Sequence, residues 1–128
     1  MSYCRSVVLE GQLPLLKEKV RDALKGQGFG VLTEIDMQAT LKAKLGHEMG
    51  AYLILGACNP ELAKGALAVE PRIGLMLPCN VILRELDDGR TEVSAVDPVA
   101  SMAGVDNDEL KQHAALVRDR LNLALDAL

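Results

Sequence analysis

The sequence predicts an α+β fold: a mainly antiparallel sheet with helices packed on one face, in the element order βαβαβα-ββ-α. Three observations lead there. Apolar stripes of helical period alternate with short strand-like runs through the first half of the chain. The last two strand-like runs are joined by Asp87-Asp88-Gly89-Arg90, a tight-turn signal that makes them an antiparallel hairpin. A long amphipathic stretch then closes the chain. A doubly wound parallel sheet would need a crossover between those two strands, and the hairpin leaves no room for one.

The elements follow in order. Ser2 to Leu9 reads as a strand ended by Gly11. Leu13, Leu16, Val20 and Leu24 then recur at helical spacing, with Lys17, Glu18, Arg21 and Lys25 on the opposite side and Gly26 and Gly28 as the stop. Phe29, Val31, Thr33 and Ile35 alternate with Gly30, Leu32 and Glu34, which predicts a second strand. Asp36 is placed to cap a helix whose inward residues would be Met37, Leu41 and Leu45, before Gly46. The unbroken apolar run Tyr52 to Ala57 predicts a central strand covered on at least one face. Asn59 as N-cap and Pro60 at the first helical position open a helix to about Val69. Pro71 and Gly74 interrupt the chain, with room for one helical turn between them. Cys79–Leu86 and Thr91–Val96 form the hairpin. Asp106 and Glu109 resemble a capping box, with Val105 and Leu110 as its staple. The stripe Leu110, Ala114, Val117, Leu121 and Leu125 then defines the last helix.

At 128 residues the chain is expected to be a single domain, residues 1–128, able to bury a core without a metal or disulfide. Its only aromatic residues are Tyr3, Phe29 and Tyr52, so the core must be built of Leu, Val, Ile, Ala and Met. A net charge of −4 and the absence of any Lys/Arg cluster argue against nucleic-acid binding. The opening MSYCRSVVLEG lacks an apolar signal region, and no apolar stretch is long enough to span a membrane. Three cysteines in such a chain are expected to be reduced thiols, and the cytoplasm is the expected location.

Chemistry, if present, points to two Cys-Asn corners: LGACNP, with Cys58 and Asn59, and LPCNV, with Cys79 and Asn80. Cys58 stands just before a helix N-terminus, where free peptide N–H groups favour a thiolate or another anion. The plainer reading, and the favoured one, is a small buried residue that fills space where a strand meets a helix. The distance between Cys58 and Cys79 depends on strand pairing that the sequence does not fix. Asp97-Pro98 reads as a turn initiator, with a carboxylate facing the cysteines as the sharper alternative. Cys4 reads as an ordinary strand residue.

Other motifs fail on inspection. His47-Glu48 opens like the zinc-protease HExxH, but Ala51 stands where the second histidine belongs. Cys58, Cys79 and one histidine lack paired ligand spacing, and His113 reads as a surface residue; no metal and no cofactor are expected. Gly26–Gly30 follows a helix and precedes a strand, the reverse of a phosphate loop. Neither GxSxG nor CxxC occurs.

The blocks GFGVLTEID (28–36), KAKLG, YLILGACNP (52–60), IGLMLPCNV (73–81) and SAVDP (94–98) resemble the DUF302 family. The resemblance covers about Leu9 to Ala103. It implies a small α+β protein with helices packed on an antiparallel sheet, often a dimer, whose biochemical function is not established. It carries Cys58, Asn59, Pro60, Cys79, Asn80 and Asp97 over as a candidate site, whereas His47-Glu48-Met49 matches no family block. The leading expectation is a noncatalytic small-molecule-binding or interaction module, a homodimer, with the Cys-Asn corners lining its site. The alternative is thiol redox or sulfur transfer, with Cys58 as nucleophile and Cys79 as resolving partner.

Overall fold

The computed structural model describes residues 2–128. Its elements are β1 (Cys4–Leu9), α1 (Leu13–Gly26), β2 (Gly30–Asp36), α2 (Met37–Leu45), β3 (Tyr52–Cys58), α3 (Pro60–Val69), a 3₁₀ turn (Ile73–Met76), β4 (Cys79–Glu85), β5 (Thr91–Val96), α4 (Pro98–Ser101) and α5 (Asp108–Asp126). The five strands form one sheet in the order β1-β5-β4-β3-β2, every neighbouring pair antiparallel. This is the α+β architecture expected from the hairpin.

One face of the sheet carries the main core. Leu53, Leu55 and Ala57 of β3, Cys79, Val81 and Leu83 of β4, and Val93 and Ala95 of β5 point the same way and are buried. Against them lie Leu13, Val20 and Leu24 of α1 and Leu121, Ala124 and Leu125 of α5. Phe29 is the only aromatic ring in this layer. A second cluster, Ala66, Ile73, Met102, Leu110 and Ala114, joins α3, the 3₁₀ turn, α4 and α5. Thr91 is also fully buried on the core side, where its hydroxyl donates to the Gly11 carbonyl at 2.8 Å, so the polar atom is satisfied.

Three local features depart from the sequence expectations. β2 contains a bulge: Val31 faces Ala57 and Thr33 faces Gly56, leaving Leu32 as the extra residue. The alternation therefore flips, and Glu34 faces the helices, where it meets Lys17 and Arg21, while Thr33 and Ile35 stand on the open face. Second, α2 forms with Asp36 as its cap, the carboxylate accepting from the Ala39 N–H, yet buries no residue. Leu45 is 76% exposed, because no other element lies over that side of α2. Third, α5 is capped by Asn107 and not Asp106: Asn107 Oδ1 accepts from the Leu110 N–H at 3.0 Å, and its Nδ2 donates to the Val69 carbonyl at 2.9 Å. The second bond ties α5 to the end of α3, which an aspartate could not do. Val105 and Leu110 still pack in one cluster.

The bulge sets a steric demand on β3. It places Thr33 over Gly56, and a Cβ at Gly56 would run into Thr33 Oγ1 and come within 2.7 Å of Pro78 Cγ. Gly56→Ala is therefore expected to destabilise the fold by about 1–3 kcal/mol, as overpacking does. Urea unfolding of the two proteins measures the difference, and an unchanged midpoint would show that β2 can shift freely.

Candidate functional site

The antiparallel pairing of β3 with β4 sets Ala57 opposite Cys79. Cys58 is the next residue along, so the ends of the two strands bring both thiols to the same corner. They line one small pocket with Asn59, His113 and a wall of apolar side chains that includes Phe29, Leu62, Ala66, Leu77 and Leu110. The free volume inside is about 20 Å³, room for one water-sized group. Both cysteines are free thiols; Cys58 is half-buried and Cys79 is buried.

Asn59 is held from two sides. Its Oδ1 accepts from the Leu62 N–H at 3.3 Å, capping α3, and its Nδ2 donates to the Gln27 carbonyl at 3.4 Å, reaching the loop before β2. Gly28 in that loop has φ +85°, and a Cβ there would sit 2.9 Å from Asn59 Nδ2. Glycine is required at this position for both conformation and space.

His113 belongs to this corner, contrary to its expected place on the surface. α5 crosses α3 where Gly65 has no side chain, and a Cβ at Gly65 would run into the His113 ring. The ring therefore lies between the two helices with its Nδ1 buried and without a hydrogen-bond partner. Sequence reasoning missed it because the ring's neighbours lie about fifty residues earlier; the small Gly65 in α3 was the available signal.

The other expected site residues lie elsewhere. Strand alternation turns Asn80 to the opposite face of the sheet from Cys79. There it is exposed and lines an open groove with Ser6, Tyr52, Ile82, Arg84, Glu92 and Ser94. Asp97 faces neither thiol: its carboxylate accepts from the Val99 N–H at 2.9 Å and caps α4. Asp97-Pro98 thus starts a short helix by the same grammar as Asn59-Pro60. Among the described residues no group of three or more His, Cys, Asp or Glu side chains is arranged to hold a metal ion, and no helix is long and apolar enough to cross a membrane.

Burial pushes the Cys79 thiol up to about 11, with the neighbouring Cys58 thiol adding to the shift. On the open face the Arg84 guanidinium donates to Glu92 through Nε at 2.8 Å and Nη2 at 3.3 Å, and holds that carboxyl below its usual range.

Together these features define a small α+β protein with a one-sided helical layer and a cysteine-bearing cavity between sheet and helices. A family model described as "Domain of unknown function DUF302" matches residues 7–128, and the chain belongs to the DUF302 family. The fold is similar to the crystal structure of an uncharacterized conserved DUF302 protein from Bacillus stearothermophilus. The TM-score is 0.92 at 26% identity, over 99% of this chain and 98% of that one. No curated protein matches the chain.

The Cys79 shift has a direction that can be measured. Because the folded thiol holds its proton more tightly than the unfolded one, stability is intact below about pH 9 and falls as the pH rises toward 11. The loss is at most about 3 kcal/mol. Cys79→Ala should flatten the unfolding free energy across that window, read by urea titration at successive pH values. An equal alkaline slope in both proteins would contradict the burial of this thiol.

Proposed function

We propose that the chain is a noncatalytic binding module of the cytoplasm, acting as a homodimer. Its ligand would be a small molecule that docks at the corner shared by Cys58, Asn59, Cys79 and His113. The observation that carries the reading is His113, which lines this largely apolar pocket and whose buried Nδ1 has no hydrogen-bond partner. An orphaned buried polar atom costs about 1–3 kcal/mol, so a ligand group that completes its hydrogen bonding gains a matching reward. The free volume admits only a compact polar head such as a hydroxyl, amine or carbonyl. A larger body would require α3 to yield.

The alternative is thiol redox or sulfur-transfer chemistry with Cys58 as nucleophile and Cys79 as resolving partner. The adjacency of the two residues supports it. The burial of Cys79 opposes it, because burial raises the thiol pKa and disfavours the thiolate that a resolving cysteine must form. Asn80 and Asp97, carried over with the cysteines by the family resemblance, take no part in this corner.

His113→Phe separates a ligand seat from simple packing. Removing the orphaned nitrogen while keeping a ring is expected to leave stability unchanged or raise it by about 1 kcal/mol. The same change should abolish any thermal shift given by a panel of small alcohols, amines and carbonyl compounds. Native mass spectrometry of the gently purified protein gives a second readout of the occupant. No shift and no retained mass would remove the seat. Rapid Cys58–Cys79 disulfide formation with oxidised glutathione at pH 7 would favour the thiol alternative.

A further inference from the structure

The uncovered face of the sheet is ordered in cross-strand rows. The central row runs Ile35, Ile54, Ile82, Ser94, Ser6 from β2 to β1, each residue directly opposite the next. A flanking row runs Tyr52, Arg84, Glu92, Val8. A solvated sheet face is normally polar at such positions, yet here three isoleucines lie side by side. The polar members of the rows are matched among themselves: Ser6 and Ser94 share a 2.6 Å hydrogen bond, and Arg84 chelates Glu92. These groups can leave water at little cost.

Beside the rows stands the 3₁₀ turn, with Leu75 84% exposed and Met76 45% exposed. The hollow under these two side chains shares Asn80 and Val96 with the main groove, whose volume is about 580 Å³, so the two are continuous. One face therefore carries both an apolar projection and a groove floored by Ile82 and bordered by hydrogen-bonded polar side chains.

We propose that this face is the contact between two copies of the chain, related by a two-fold axis, with the Leu75–Met76 projection of each copy seated on the isoleucine row of the other. The inference rests on the homodimer of the proposed function and assigns its surface. Three features select a second copy as occupant. An isologous interface needs a surface complementary to itself, and a projection beside a groove on one face supplies that. Charge is self-complementary too, because Arg84 and Glu92 sit side by side, so a reversed copy offers each an opposite partner. Size is adequate: five strands by six residues make a plane of roughly 24 by 20 Å. With side-chain relief and the 3₁₀ turn added, that is within reach of the ~800 Å² per partner found in stable complexes.

Analytical ultracentrifugation of the full chain across a concentration series tests the assignment. Wild type is expected at twice the 13.8 kDa chain mass. Ile82→Asp and, independently, Leu75→Asp are expected to raise the dissociation constant about 30-fold or more, as loss of a central contact does. Leu75 is almost wholly exposed, so its variant folds even if Ile82→Asp does not; circular dichroism checks both. Leu116→Asp, on the helical side, is the control and should leave the dimer intact. A wild type that stays monomeric overturns the homodimer itself. A dimer that survives both face substitutions keeps the homodimer and overturns this surface, moving the contact to the helices or to a sheet edge.

Discussion

The pairing of Ala57 with Cys79 is the constraint on which the rest of the molecule depends. It fixes β4 against β3, and strand alternation then decides every side chain on both. Leu53, Leu55, Ala57, Cys79, Val81 and Leu83 go under the helices, while Ile54, Ile82, Asn80 and Arg84 go to the open face. A slip of one residue would expose the apolar set and bury Arg84. The same pairing brings two cysteines twenty-one positions apart in the sequence into one corner, and sends their asparagines to different work: Asn59 caps a helix, and Asn80 looks out from the other side of the sheet.

The two Cys-Asn pairs thus do not meet in one place. Cys79 is held as a neutral thiol by burial, and Asn59 is committed to backbone partners on two elements. What is left over at the corner is the histidine nitrogen between α3 and α5. Thr91, Asn107 and Ser94 all have hydrogen-bond partners, whereas among the described residues the buried side-chain atom left without one is His113 Nδ1. The apolar counterpart is the open face, where isoleucines occupy positions that solvent would leave polar. The two features lie on opposite sides of the sheet.

Much of the fold was legible because its signals are local. The stripe from Leu13 to Leu24, the Asn59-Pro60 start and the Asp87–Arg90 turn each act within a few residues, and each produced the expected element. Failures came where a distant partner decides the outcome. Met37, Leu41 and Leu45 mark a helix face, but periodicity says nothing about whether another element covers it. The β2 bulge is invisible in an alternating sequence. Asp106 and Asn107 are both good caps, and the choice went to the one whose second arm reaches Val69. The helix after Asp97-Pro98 starts with a capping side chain followed by proline, as α3 does at Asn59-Pro60, and neither a turn nor a carboxylate facing the cysteines describes it. Of the candidate site, Cys58, Asn59 and Cys79 were found by pattern, while His113 was reached only through the packing of α5 on Gly65.

The division of the two corners by the β3–β4 pairing is tested most directly by cysteine labelling. Native-state alkylation would be followed by peptide mass spectrometry on the Leu75→Asp protein, whose open face the proposed dimer no longer covers, and on the same protein with Cys79→Ala and Asn80→Cys. The expected result is a Cys79 that reacts only as fast as the protein unfolds, beside an introduced cysteine at position 80 that reacts at the rate of a free thiol. A Cys79 that labels quickly in the folded protein, or a protected residue at position 80, would contradict the register from which the core, the cavity and the open face all follow.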